Sequence, residues 1–173
     1  MKYFLITIFA ILFLSCTTSK QITFITLDTD FSKGRLNHQQ KIKLKALEKF
    51  HGHLCDGLVV GALAIQQAMK ELYTNQPIDR TNLRIVSTPS PCLTDVAIYL
   101  TFGRCQVGTL FLDTTFTGLY IIQRIDNNKT VSVSLKKGIK PSIIDSLGVL
   151  ATGKKMGPCD LDNLKKMEDD FTK

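Results

Sequence analysis

Apolar residues recur at helical spacing in two stretches of the first half of the chain. The segment HQQKIKLKALEKF, residues 38–50, predicts a short amphipathic helix. A second helix is predicted over residues 57–73, with Asp56 as its N-cap. The apolar residues of this second helix include Leu58, Ala62, Leu63, Ala64, Ile65, Ala68, Met69 and Leu72. They cover most of its circumference, so the helix is expected to be buried on most sides.

The remainder of the chain carries both strand and helix patterns. The segment NLRIVSTPS, residues 82–90, is typical of a strand followed by a loop, and Pro91 favours the first turn of a helix in CLTDVAIYLTF. Three more strands are predicted, over residues 108–113, 118–125 and 130–136. The residues DNNK between the last two are a hairpin signal. Two final helices are predicted over residues 142–153 and 160–171, the latter capped by Asp160.

This order of elements predicts the fold class. Helices, then a group of strands, then helices again are typical of an α+β fold. We expect an antiparallel sheet, arranged as a meander and packed against the helices, in a single domain.

The N-terminus resembles that of an exported lipoprotein. Lys2 precedes an apolar run over residues 4–14, which is about half the length that a membrane-spanning helix needs. The run ends at FLSC, which resembles the lipobox of bacterial lipoproteins, with Phe13 where leucine is usual. This predicts a signal peptide over residues 1–15, lipidation of Cys16, a tether with one short strand over residues 16–38, and a core domain over residues 39–173. An ordinary cleaved signal peptide or a buried strand is the alternative.

The composition limits the functions to be considered. The formal net charge is +7, but the lysines are scattered and no aromatic residues interleave with them. This favours a solvated or lipid-facing surface and argues against a nucleic-acid partner. A lipidated Cys16 would place the protein in the cell envelope of a bacterium, anchored to a membrane and facing the periplasm or the exterior. Two disulfides among the remaining cysteines are then one expectation.

The segment KFHGHLCDG holds the first candidate site. His51, His53 and Cys55 stand at alternate positions, which share a side only in an extended segment. Gly52 gives that segment backbone freedom, and a helix starting after Asp56 would stabilise a thiolate at Cys55. Imidazole and thiolate ligands suit zinc, nickel, copper or iron. The alternative is a pair of capping or packing histidines beside a disulfide-bonded Cys55.

Cys92 and Asp95 form the second candidate. Cys92 enters the predicted helix from a loop rich in hydroxyl groups, and Asp95 follows one turn later. A cysteine at a helix start is in an environment typical of reactive thiols, and a buried or disulfide-bonded cysteine is the alternative. Cys105 and Cys159 are expected to be structural, as buried thiols or as a pair. His38 is expected to be solvated.

These motifs together resemble the E-subunit family of formylmethanofuran dehydrogenase. The resemblance rests on FHGHLCDG, on SPCLTDVAIYLTFG and on the turn into GTLFLD, and it covers about residues 47–136. Asp56 replaces the usual proline, and the C-terminal Cys-x-x-Cys pairs of some members are absent. The resemblance implies an α+β core that dimerises and a histidine–cysteine pocket for a transition metal. The matching positions are His51, His53, Cys55, Cys92 and Asp95.

Three functional hypotheses follow. In the first, His51, His53, Cys55 and Cys92 bind a transition metal, zinc before nickel, iron or copper. Cys55, Cys92 and Asp95 then serve redox or metal-dependent chemistry on an unidentified small molecule, with Asp95 orienting a ligand. The second is a metal or cofactor carrier without catalysis, and the third a structural protein with a Cys55–Cys92 disulfide. A homodimer is expected from the family and from Gly57 and Gly61, which would let another backbone approach closely.

Overall fold

The computed structural model describes residues 22–28, 39–74 and 76–173. The helices are α1 (Leu44–His51), α2 (Asp56–Leu72), α3 (Pro91–Thr101), α4 (Ser142–Thr152) and α5 (Pro158–Phe171). The strands are β1 (Thr23–Leu27), β2 (Gln40–Lys43), β3 (Ile78–Asp79), β4 (Leu83–Ser87), β5 (Leu110–Leu112), β6 (Tyr120–Arg124) and β7 (Thr130–Val133). The predicted α+β class is confirmed. Within the described residues, no helix is both long and apolar enough to cross a membrane.

The first predicted helix begins later than its pattern indicated. Residues 40–43 form strand β2, which pairs antiparallel with β1 so that Ile42 lies opposite Phe24. Both of these side chains are buried. The reason is the alternation Lys41-Ile42-Lys43, which places one apolar side chain inward and two charged ones outward, as a strand requires. The helix itself begins at Leu44. Strand β1 lies within the segment that the sequence predicted as a tether.

The predicted meander is wrong in its strand order. The larger sheet has the order β5-β4-β6-β7, so β4 separates β5 from β6. Strand β5 runs parallel to β4, with Leu110 opposite Ile85. A helix, α3, connects these two strands, and a helical crossover is how parallel neighbours are joined. The hairpin of β6 and β7 is antiparallel, as the DNNK turn predicted.

One face of this sheet carries the two helices that hold the candidate site. Helix α2 contacts β6 and β7, and α3 contacts β4 and α2. Fully buried side chains fill the space between these layers: Leu58, Ala62, Ala68, Val96, Ala97, Tyr120 and Ile122. Because apolar residues lie on nearly every side of α2, this helix is enclosed by α1, α3 and the larger sheet, as its pattern predicted. The two helix starts therefore have fixed positions relative to each other.

Candidate metal centre

The HGHLC segment is a break between two helices. Helix α1 ends at His51, and Gly52 adopts the left-handed conformation, with φ of 100°, while donating its N–H to the Glu48 carbonyl at 2.8 Å. The chain is then extended at Cys55 and enters α2 at Asp56. Residues 52–55 are therefore non-helical, and His51 is the last residue of α1.

Cys55, rather than the predicted Asp56, is the N-cap of α2. Its Sγ accepts the Leu58 N–H at 3.4 Å. Cys92 occupies the first turn of α3, after Pro91 and the N-cap Ser90. Both sulfurs thus lie at helix N-termini, where unpaired N–H groups and the helix dipole favour a thiolate.

Three of the predicted ligands lie together. The Sγ atoms of Cys55 and Cys92 are 3.4 Å apart, and Nε2 of His51 lies 3.7 Å from Sγ of Cys55. The ligand atoms of all three residues lie within 4.8 Å of one another. Around one tetrahedral ion with bonds of about 2.0–2.3 Å, neighbouring donor atoms lie roughly 3.3–3.8 Å apart. The two separations that involve Cys55, together with the soft nitrogen and sulfur donors, therefore fit a transition-metal ion such as zinc.

Asp95 fixes the orientation of the His51 ring. Its Oδ2 lies 2.7 Å from Nδ1 of His51, whose side chain is only 6% exposed. In the neutral ring the Nδ1–H donates to this carboxylate, and the lone pair of Nε2 is then available to bind a metal ion. A carboxylate holding the far nitrogen of a ligating histidine is a recurring feature of metal sites. The hydrogen bond to Asp95 also raises the pKa of His51.

The two thiols have opposite proton affinities. A hydrogen bond from Cys92, with further help from the Leu58 N–H and from His51, lowers the pKa of Cys55 to about 5. The pKa of Cys92 is raised, first because its S–H is held by Cys55 and second because the group is desolvated. The pair therefore holds one thiolate and one thiol at neutral pH.

The remaining predicted site residues lie elsewhere. His53 is exposed and is not part of the group of three, although its ring centroid lies 4.8 Å from that of His51. The expectation for Cys105 and Cys159 is wrong, since both are exposed, free thiols. Cys55 and Cys92 are also free thiols here, not a disulfide. Cys16 and His38 lie outside the described residues.

Gly57 and Gly61 face α3 and Tyr120 of the same chain. They therefore do not support the predicted dimer. A Cβ at Gly57 would lie 3.0 Å from Cβ and Sγ of Cys92, and one at Gly61 would lie 2.7 Å from the Tyr120 hydroxyl. The predicted close approach of a backbone is present, but its partner is α3 of the same chain.

Sequence reasoning did not identify Lys140 as part of this region. Its Nζ lies 2.6 Å from Oδ2 of Asp56 and 2.6 Å from Oδ1 of Asp145. These residues line an open cleft of about 750 Å³, together with Ser90, Pro91 and Glu168. Asp56 and Pro91 adjoin Cys55 and Cys92 in the chain, so the cleft lies beside the thiols. Lys140 belongs to no motif and lies far from Asp56 in the sequence. No sequence pattern therefore predicts this contact.

The electrostatics of the cleft are dominated by carboxylates. Burial, followed by the charges of Asp56 and Cys55, raises the pKa of Glu168. Burial lowers the pKa of Lys140, but its hydrogen bonds to Asp145 and Asp56 outweigh that effect, so the net shift is upward. Lys140 is therefore a fixed cation between two helix starts.

Comparison with known proteins identifies the family. A family model described as "FmdE, Molybdenum formylmethanofuran dehydrogenase operon" matches residues 50–164. The match begins just before His51 and extends past the region of the sequence resemblance into α5. A search of curated proteins returns no match. The family model covers more than half of the 173 residues, and the chain therefore belongs to the FmdE family.

Proposed function

We propose that this protein binds one transition-metal ion and presents it to a small molecule at the surface of a bacterial membrane. The ligands are Nε2 of His51 and the sulfurs of Cys55 and Cys92, with zinc expected before nickel, iron or copper. The observation that carries the proposal is the group of three donor atoms within 4.8 Å of one another. The orientation of His51 by Asp95 supports it.

The fourth coordination position is the basis for chemistry on a small molecule. Catalytic zinc sites commonly have three protein ligands, whereas structural sites are closed by four. The described residues supply three donors, and the cleft beside the thiols has room for a ligand. A bound ion would supply Lewis-acid polarisation of that ligand. Asp95 would hold the His51 tautomer, and the carboxylates of the cleft would favour a neutral or cationic ligand over an anion.

Two other functions remain as alternatives. A metal or cofactor carrier would use the same ligands, with His53 turning inward as the fourth. A redox dithiol is favoured by the contact of 3.4 Å between the Cys55 thiolate and the Cys92 thiol. In that case the two thiols would lose two electrons and two protons to an external disulfide and become one disulfide.

Metal analysis of purified protein separates these functions. We expect about one ion per chain in the wild type and its loss in His51→Ala, Cys55→Ser and Cys92→Ser. His53→Ala should keep the ion if the fourth position is open, and lose much of its affinity if the protein is a carrier. Cys105→Ser and Cys159→Ser are matched controls, because they remove exposed thiols only. A wild type that contains no metal, binds none when supplied, and cycles between dithiol and disulfide would support the redox function.

The proposal places the protein at the membrane through lipidation of Cys16, with the metal centre facing the periplasm or the exterior. Its support is the N-terminal sequence, in which Lys2, an apolar run and FLSC follow in the order of a lipoprotein signal. We also propose that the domain is a homodimer. Here the support is a set of exposed apolar residues at and near the C-terminal helices: Ile139, Ile143, Val149, Leu150 and Leu161.

A further inference from the structure

We infer that Gly57 is a positioning residue, whose missing side chain allows Cys55 and Cys92 to meet. Gly57 is the second residue of α2 and faces the start of α3. A Cβ there would lie 3.0 Å from both Cβ and Sγ of Cys92, closer than the ordinary contact range of 3.4–4 Å. Any larger residue must therefore displace Cys92. The inference concerns the thiol pair of the proposed metal site, and only its metal test rests on the proposed function.

Helix α3 cannot simply move away to relieve this contact. The residue after Cys92 is Leu93, and its carbonyl accepts a hydrogen bond of 2.9 Å from the hydroxyl of Tyr120. Tyr120 is completely buried, in the layer between the helices and the sheet. A Cβ at Gly61, one turn further along α2, would lie 2.7 Å from the same hydroxyl. The two helices are thus held at a fixed separation just beyond the thiols.

The relief must then come from Cys92 itself. Rotation of its side chain away from α2 relieves the contact at Sγ, and a shift of a few tenths of an ångström in the first turn of α3 relieves the contact at Cβ. Either change moves Sγ of Cys92 away from its position 3.4 Å from Sγ of Cys55. Gly57 therefore sets the distance between the sulfurs without touching a metal or a substrate.

The test compares Gly57→Ala with Gly148→Ala in full-length protein purified in detergent. Gly148 lies within α4, on the wall of the cleft, and has open space where a Cβ would be added. Alanine favours a helix over glycine at both sites, so the pair is matched for helix propensity. Both variants are made with Cys105→Ser and Cys159→Ser, so that the exposed thiols do not contribute.

The first readout is the binding of phenylarsine oxide to metal-free protein. The arsenical forms two As–S bonds with two nearby thiols, and its oxygen leaves as water with the two thiol protons. We expect binding at least tenfold weaker in Gly57→Ala and unchanged in Gly148→Ala. The second readout is Zn²⁺ affinity by competition with a chromophoric chelator, which should fall about 10- to 100-fold, as for other displaced supports of metal ligands.

A double-mutant cycle keeps the inference testable if Gly57→Ala folds poorly. Cys92→Gly removes both atoms that an alanine at position 57 would meet, so the stability cost of Gly57→Ala should be smaller in that background. Unchanged arsenical and Zn²⁺ binding in a folded Gly57→Ala, or no coupling in the cycle, would overturn the inference. If wild-type protein binds no Zn²⁺ but Gly57→Ala still weakens the arsenical, the metal proposal fails and the positioning role of Gly57 stands.

Discussion

At the scale of single residues, the site depends on two cysteines that the fold makes different. Cys55 accepts a backbone N–H as the cap of α2 and lies against His51. Cys92 lies in the first turn of α3 and has the Asp56 carboxylate as a neighbour, whose charge disfavours a second thiolate. Two thiolates 3.4 Å apart without a cation would repel each other. The metal-free pair therefore shares one negative charge, and a divalent cation would release the second proton.

The charge on Cys55 predicts a pH dependence that ultraviolet absorbance can measure. In metal-free Cys105→Ser/Cys159→Ser protein, we expect thiolate absorbance near neutral pH that disappears as the pH falls through about 5. The direction follows from a lowered pKa, since the thiolate is present above that value and protonated below it. Cys92→Ala should move this transition to higher pH, because the Cys92 hydrogen bond is the largest cause of the shift. A transition near the ordinary value of about 8.5 in the protein that retains Cys92 would contradict the assignment.

At the scale of elements, local patterns predicted most helices. The strand order of the sheet was predicted wrongly, because it depends on pairing between distant residues. The helical period over residues 57–73 was sufficient for α2, and DNNK for the β6–β7 hairpin, because both signals lie within a few residues. Strand β2 was missed because its partner β1 is separated from it in the sequence by residues 28–39. A pattern of four residues fits a helix or a strand, and the pairing with β1 decides between them. The insertion of β4 between β5 and β6 has the same cause.

The candidate site shows the same division between local and distant signals. The spacing in HGHLC correctly indicated that no continuous helix runs from His51 to Asp56, but it was wrong to make the whole segment extended, because His51 ends α1 and Gly52 is left-handed. The family resemblance joined Cys92 and Asp95 to this segment. The cap role of Cys55 was missed because Asp56 is the commoner N-cap residue type. Lys140 was missed because its contact with Asp56 depends on how the C-terminal helices dock, which no short motif encodes.

The ion pairs of Lys140 with Asp56 of α2 and Asp145 of α4 are predicted to stabilise the packing of these two helices. Lys140→Met should lower the free energy of unfolding by about 1–3 kcal/mol, because it leaves the Asp56 carboxylate buried without its cation. The Asp56 side chain is 11% exposed and that of Lys140 is 21% exposed. Lys165→Met is the matched control: its pair with Asp169 is on the surface, and its loss should cost less than about 0.5 kcal/mol. Urea unfolding followed by circular dichroism measures both, and equal losses would contradict a special role for Lys140.

At the scale of the whole molecule, the C-terminal helices expose several large apolar side chains. Ile144 is the one buried apolar residue of α4 among those the structure describes, whereas Ile143, Val149 and Leu150 are exposed. We expect the protein lacking residues 1–20 to have the mass of a dimer by light scattering at micromolar concentration. Val149→Lys should shift that mass toward the monomer. Val107→Lys should not, although Val107 is 68% exposed and Val149 73%. A monomeric wild type would contradict the proposed dimer.

The last prediction concerns attachment to the membrane. If FLSC is a lipobox, Cys16→Ser should abolish incorporation of labelled fatty acid, because only the thiol can accept the lipid. The signal peptide should also stay attached, so the variant should migrate as the longer precursor. Cys159→Ser keeps the N-terminal thiol and should be lipidated, processed and recovered with the membrane like the wild type. A Cys16→Ser protein that is processed and membrane-bound like the wild type would contradict lipidation at this residue. That result would leave the proposed metal site untouched, because His51, Cys55 and Cys92 all lie in the described domain, at or next to the ends of α1, α2 and α3.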